Sequence, residues 1–367
     1  MHDRPRKVYL LTTTQGCEIN LYHTTQVRDF LVTNGHEIVD DPAEATDIVV
    51  MTCSVLTACQ EQSERILEQF SDGHAAKRLF ALGCLPAFDR SLPILQPYEV
   101  LDPKEFDQLS KFFSGPTPYR AIRTHKIDSA LVGIEDRFSN RFTILVAQGC
   151  LGSCSYCAIK KAKGGVTSRD EKDILSRFDE ILATHRRPVI ALLCEDLGSY
   201  GADTGTDAVA LLEKLTDREG DYELEIQNFE PSRFLLLAPR LETVFRRGKI
   251  VKIHIAVQSG SQRVLAAMKR QYDVATLIAY LKGLIERYPD LIVETSFIVN
   301  FPTESHEDFH ATSRLLPLFD EVMVFNYSRR QGTPAADLPD SVPEAEREVR
   351  LGYLRELAKV HPGLSIM

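Results

Sequence analysis

The sequence predicts an α/β protein, with an N-terminal parallel-sheet domain of Rossmann or flavodoxin style followed by a partial (β/α)6 barrel. Two observations carry this reading. Short apolar runs recur along the 367 residues, and stretches of helical periodicity separate them. The alternation occurs three times in the first hundred residues and six times after residue 140.

In the first segment, "VYLLTT" (8–13), "DIVVMTC" (47–53) and "RLFALGC" (78–84) suit buried parallel strands. "TTQVRDFLVTNG", closed by Gly35, and "TACQEQSERILEQF" read as helices. This domain is expected over 1–130, ending in a proline-containing, weakly periodic stretch near 115–140. The barrel is expected over 136–336, with strands at 142–149, 188–196, 222–230, 251–260, 291–302 and 321–328. In such a barrel the chemistry gathers at the C-terminal ends of the strands. Residues 337–367 read as a helical tail, through "SVPEAEREVRLGYLRELAKVH".

Composition narrows the functional classes. A hydrophobic fraction of 44% supports a sizeable core, and a net charge of −9 supplies no global pull towards nucleic acid. "KKAK" (160–163) with Arg169 is a local basic run, whose plainer reading is a solvated surface. No stretch is apolar for long enough to cross a bilayer, so no membrane partner is expected and the location is expected to be cytoplasmic. The eight cysteines then read as thiols for metal binding or catalysis rather than as disulfides.

Cys150, Cys154 and Cys157 follow directly on the first barrel strand, in "QGCLGSCSYC". Three thiolates at that spacing can hold a four-iron, four-sulfur cluster with one iron left open to a chelating ligand. A structural zinc site is the plainer alternative. It needs a fourth ligand at short spacing, and no histidine lies between His125 and His185. Cys17, Cys53 and Cys84 are distant in sequence, yet each sits at or just past the end of a predicted parallel strand. The ends of such strands converge on one edge of an open sheet, where ligands bind. Three small buried thiols are the alternative. Cys59, in a helix, and Cys194, in a strand, read as ordinary thiols.

Both trios, in this order, resemble the methylthiotransferase family of radical S-adenosylmethionine enzymes. The likeness runs from residue 7 to about 336 and includes "QGCEIN", "LGSYGAD" (197–203), "HIAVQSGSQRVLAAMKRQY" (254–272), "FPTESHEDF" (301–309) and "YSRRQGTPAA" (327–336). "EDLGSYGAD" is nearest to the branch acting on threonylcarbamoyl-adenosine in tRNA. The resemblance implies two 4Fe-4S clusters and S-adenosylmethionine as cofactors. Cys150, Cys154 and Cys157 would hold the cluster that cleaves S-adenosylmethionine, and Cys17, Cys53 and Cys84 an auxiliary cluster that delivers sulfur. It also implies an external electron donor of flavodoxin or ferredoxin type.

Matching the motifs places Tyr156, Lys163, Arg169, Glu195, Asp196, Gln258, Ser259 and Arg330 near the cofactor, each with a structural polar role as its alternative. Lys163 falls where the family usually has arginine. Met51, Ala256, "NFPTES" and Leu151–Gly152 also depart from the family pattern, around the places where substrate would lie.

Family members acting on tRNA or ribosomal protein normally end in a small β-barrel, and nothing after residue 341 reads as one. With the acidic charge, this favours a small metabolite or a peptide as substrate, with tRNA as the alternative. A tRNA substrate calls for a basic face beside the cavity, with Lys160, Lys161, Arg186, Arg187, Arg246 and Arg247 as candidates. An iron–sulfur sensor without cofactor cleavage, and a radical enzyme whose second cluster only transfers electrons, are the other readings.

Overall fold

The computed structural model describes residues 5–13, 17–73, 77–128 and 140–367. Residues 15–16 of "QGCEIN", and 129–139 of the stretch expected to end the first domain, lie outside the described residues. The chain divides into two compact units. One runs to Leu145 and includes Ala158–Gly164; the other comprises Val146–Cys157 and Gly165–Met367.

The first unit runs β1 (Lys7–Thr12), α1 (Glu18–Thr33), β2 (Glu37–Ile38), β3 (Asp47–Thr52), α2 (Thr57–Gly73), β4 (Arg78–Gly83), α3 (Cys84–Phe88), β5 (Glu99–Leu101) and α4 (Leu109–Phe112). Its sheet has the order β2-β1-β3-β4-β5, parallel throughout. This is the flavodoxin-like doubly wound order, whose topological switch point lies between β1 and β3.

Alternation along the strands builds two cores. Val8, Leu10, Val49, Met51, Phe80 and Leu82 pack with Val27, Phe30 and Leu31 of α1. Ile48, Val50, Leu79 and Ala81 pack with Leu67 and Phe70 of α2. Helix α1 begins at Glu18, six residues before the run at Thr24 that carries its periodicity. Its first turns bury Asn20, His23, Thr24, Thr25 and Gln26, so no apolar stripe marks them in the sequence.

The remaining elements are β6 (Arg141–Leu145), β7 (Ala147–Gln148), α5 (Ile159–Lys163), β8 (Thr167–Ser168), α6 (Glu171–Thr184), β9 (Val189–Leu193), α7 (Ala208–Thr216), β10 (Glu223–Phe229), α8 (Pro231–Phe245), β11 (Ile250–Gln258), α9 (Gln262–Ala267), α10 (Val274–Arg287), β12 (Ile292–Val299), α11 (His306–Ser313), β13 (Glu321–Asn326), α12 (Glu344–Ala358) and β14 (Leu364–Ile366). A seven-stranded sheet has the order β14-β13-β12-β11-β10-β9-β6, and its pairings from β9 to β14 are parallel.

Two features differ from the sequence expectation. The first barrel run breaks at Val146, whose amide donates to Leu193, and β7 turns away to pair antiparallel with β8. The tail also ends in a strand, because Val322, Met323 and Val324 still offer β13 a free edge to Leu364, Ser365 and Ile366. Three residues are too few to show a period.

The two faces of this sheet differ in character. In register, Ile253, Ile255, Val293, Thr295 and Val322 fall on one face. Lys252, His254, Glu294, Ser296 and Glu321 share the other, and Lys252 Nζ lies 3.3 Å from Glu294 and 2.7 Å from Glu321. No helix of the described residues is long and apolar enough to cross a membrane.

Candidate metal centres

The loop carrying Cys150, Cys154 and Cys157 is fixed at its base and along both sides. Ala147 pairs with Ser168 and Gln148 with Thr167, and the Arg169 amide donates to Val146 at 2.8 Å. The segment after β9 holds the loop from beside. Glu195 accepts the Gly149 amide at 2.8 Å, and Ser199 Oγ accepts that of Leu151 at 3.2 Å. Asp203 accepts both the amide and the hydroxyl of Ser168, at 2.8 and 2.6 Å. "EDLGSYGAD" is therefore a set of clamps on the cysteine loop. On the far side, Ser155 donates from its amide to Met268 at 2.9 Å and from its hydroxyl to Ala267 at 2.8 Å.

The clamped loop brings two of the thiols close to one glycine. A Cβ at Gly152 would stand 3.2 Å from Cys150 Sγ and 3.9 Å from Cys154 Sγ, so both sulfurs face the same small gap. The Gly152 amide donates to Cys150 Sγ at 3.1 Å. Burial and the neighbouring Asp196 push the Cys150 thiol pKa up. A bound metal reverses that preference by stabilising the thiolate.

Among the described residues, no three His, Cys, Asp or Glu side chains are arranged to hold a single metal ion. Ligands of a cluster bind separate irons and stand further apart than the shell of one zinc ion. Two thiols at one glycine with a third on the same loop, a backbone amide turned to sulfur and a buried guanidinium beside Cys154 fit a 4Fe-4S cluster with an open iron.

The second trio lies along one edge of the first unit's sheet. Cys17 caps the N-terminus of α1, Cys53 follows β3, and Cys84 opens α3. Thr52 and Gly83 are partners in register, so Cys53 and Cys84 leave adjacent strands side by side. Hydrogen bonds tie these ends together. The Cys53 amide lies 3.2 Å from Thr13 Oγ1 and 3.0 Å from Ser63 Oγ, Ser54 Oγ donates to the Cys84 carbonyl, and Asn20 Nδ2 donates to Thr52. None of the eight cysteines is in a disulfide.

The residues matched to cofactor positions fall into distinct settings. Asp196 is buried and accepts from the amides of Gly198 and Glu230, each at 3.0 Å, with Cys150 Sγ at 3.9 Å. Tyr156 Oη accepts from Arg270 at 3.3 Å, and burial pushes its pKa well above the usual phenol value. Gln258 ends β11 at φ +71°, with Nε2 on Ser296 Oγ at 3.0 Å. Ser259 is fully buried against Thr312. Arg330 is buried, and its carbonyl accepts from Thr333. Lys163 is buried at the end of α5 in the first unit, whereas Arg169 belongs to the second. Cys59 lies in α2, and Cys194 is buried with its thiol towards the Gln227 carbonyl.

Sequence reasoning passed over Arg270, Glu230, Tyr272 and His254. The first, third and fourth lie inside "HIAVQSGSQRVLAAMKRQY", so the signal was the motif itself. The expected basic face needs correction. Arg186 and Arg187 enter β9, and Arg246 and Arg247 lie between α8 and β11. All four therefore sit at the N-terminal edge of the sheet, opposite the strand ends that carry the cysteine loop. Arg187 pairs with Asp221 at 2.6 Å and Arg246 with Glu242 at 3.6 Å, which makes them local surface pairs.

Two family profiles match the chain. The Radical SAM superfamily covers residues 144–316, and Uncharacterized protein family UPF0004 covers residues 8–97. The tRNA-2-methylthio-N(6)-dimethylallyladenosine synthase of Xanthomonas axonopodis pv. citri (strain 306) is 30% identical over 386 residues, covering 97% of this chain and 77% of that protein. A probable threonylcarbamoyladenosine tRNA methylthiotransferase of Pyrococcus horikoshii is 29% identical over 343 residues, covering 90% and 79%. Among solved structures, the radical S-adenosylmethionine methyltransferase TsrM from Kitasatospora setae aligns with a TM-score of 0.62 at 14% identity, over 90% of this chain and 77% of that one. That likeness concerns the fold alone.

Proposed function

Because this chain belongs to the methylthiotransferase family of radical S-adenosylmethionine enzymes, we propose that it replaces a C–H hydrogen of a modified adenosine in tRNA with a methylthio group. The family's cofactors are two 4Fe-4S clusters and S-adenosylmethionine. The observation that carries the proposal is the clamped loop of three thiols in one unit with a second trio at the strand ends of the other. When bound, the first cluster with S-adenosylmethionine supplies a hydrogen-abstracting radical, and the second supplies sulfur.

The protein's own work is positional. Cys150, Cys154 and Cys157 hold the first cluster, while Glu195, Ser199 and Asp203 fix the backbone between and beside them. Tyr156 and Gln258 present polar groups near that loop's end of the barrel, for the cofactor. Cys17, Cys53 and Cys84 hold the second cluster.

The small-metabolite or peptide reading from the sequence gives way to its tRNA alternative, since relatives of both adenosine types are named for tRNA. With four of the expected arginines at the wrong edge, exposed cations on loops take over the candidate footprint. These are Lys269, at the turn after α9, and Arg329 after β13. Anaerobic reaction with S-adenosylmethionine, dithionite and tRNA from a methylthiolation-deficient strain, followed by nucleoside mass spectrometry, tests the proposal. A methylthio-adenosine derivative is expected. Cofactor cleavage that leaves every tRNA nucleoside unchanged would overturn the substrate assignment.

A further inference from the structure

Arg270 is a buried cation beside the first cysteine trio, and its place is set by the trio's own loop. The chain leaves α9 through Met268 and Lys269, with Lys269 at φ +57°, and the Arg270 amide returns to Leu265 at 2.9 Å. Ser155, next to Cys154, donates to Met268 and Ala267 on that same turn. Loop and turn are thus locked together, and the guanidinium is carried under the thiol. Nη1 lies 3.4 Å from Cys154 Sγ and 3.3 Å from Tyr156 Oη, while Nη2 donates to the Ala256 carbonyl at 2.6 Å.

The charge on this group is incompletely matched by carboxylate. Arg270 is 6% exposed. Glu230 is its carboxylate partner, at 3.5 Å from Nη2. Glu230 also caps α8 through the amides of Ser232 and Arg233, and its other oxygen lies 3.4 Å from the Arg233 guanidinium. Among the described residues, Nε of Arg270 has no hydrogen-bond partner. A buried cation needs a compensating anion, and the Cys154 thiol, 3.4 Å from Nη1, becomes one when it ligates a metal as thiolate.

We propose that Arg270 is a positioning residue that raises the reduction potential of the cluster held by Cys150, Cys154 and Cys157, by holding a desolvated positive charge against one ligand sulfur. The inference rests on the three-thiolate reading of that loop and is independent of the substrate. One-electron reduction by an external donor adds a negative charge to the cluster. A fixed cation nearby stabilises the reduced form more than the oxidised one. Glu230 opposes this effect by partly neutralising the cation.

The test is an EPR-monitored redox titration of the full-length, anaerobically reconstituted protein, following the signal that changes when S-adenosylmethionine is added. Arg270→Gln is expected to keep its iron but to need a potential lower by about 59 mV, a tenfold loss in the reduced-to-oxidised ratio at fixed potential. Arg270→Lys should recover most of that loss. Arg270→Gln with full iron and an unchanged midpoint would overturn the inference. Loss of iron in Arg270→Gln would make Glu230→Gln the deciding variant. Removing that carboxylate should move the midpoint upward, and no movement would overturn the inference equally. Failure of wild type itself to hold iron through Cys150, Cys154 and Cys157 would instead refute the three-thiolate reading.

Discussion

The Glu195 carboxylate accepts the Gly149 amide proton at 2.8 Å, joining the end of β9 to the residue before Cys150 across 46 positions of sequence. Charged hydrogen bonds of this kind contribute about 1.5–3 kcal/mol. Glu195→Gln keeps an acceptor and should retain most cluster iron. Glu195→Ala should lower iron per chain from about eight towards about four after reconstitution while the apoprotein stays folded. Iron assay and circular dichroism on the two variants check this, and equal iron in both would contradict the clamp.

Gly83 ends β4 at φ +101°, where a Cβ would meet the Thr52 carbonyl oxygen at 2.5 Å. Neither the backbone angle nor the partner strand can yield cheaply. Gly83→Ala should destabilise the first unit by about 2 kcal/mol or more. Because Cys84 follows directly, it should also deplete iron from the second trio before the first. Denaturant melts and iron content read the two effects separately.

Much of this arrangement was legible because parallel strands buried on both faces leave continuous apolar runs, and β3, β4 and β9 are such runs. The cysteines were legible for the same reason, since a run's end marks where a side chain reaches the ligand edge. The burial of Arg270 was not legible, although the residue lies within a recognisable motif. A cation in "AMKRQY" reads as solvated surface, and its burial depends on a turn meeting a loop 116 residues away. The four misplaced arginines show the converse. Their clustering in sequence was real, but helix-to-strand turns put them at the edge away from the chemistry.

His254 lies on the polar face of β11, 3% exposed, with neither ring nitrogen hydrogen-bonded among the described residues. Burial, aided by Lys252 and Arg270, lowers its pKa to about 3. The unfolded chain takes up a proton below about 6.5 and the folded one does not, so stability falls as pH drops through this window. Between pH 7.5 and 5 this should cost about 2 kcal/mol. His254→Gln should remove that part of the slope in urea titrations of the apoprotein. An unchanged slope would refute the assignment.

Glu304 works in the opposite direction. Its carboxylate is buried against Arg350 at 2.8 Å and the Asn300 amide, yet burial outweighs both and raises its pKa to about 7. The stability this gives is fully present below about 4.5 and is lost as pH rises through 7, by at most about 3 kcal/mol. Glu304→Gln should flatten stability between pH 5 and 8. A variant with the wild-type pH profile would show that Arg350 keeps the group ionised throughout.

The measurement that bears most directly on the account is iron and acid-labile sulfide per chain after anaerobic reconstitution, with wild type compared to a variant carrying Cys17→Ala, Cys53→Ala and Cys84→Ala. Two independent four-iron clusters predict about eight irons falling to about four. About four irons in both proteins would mean that the second trio holds no cluster, and the sulfur-inserting function would be contradicted.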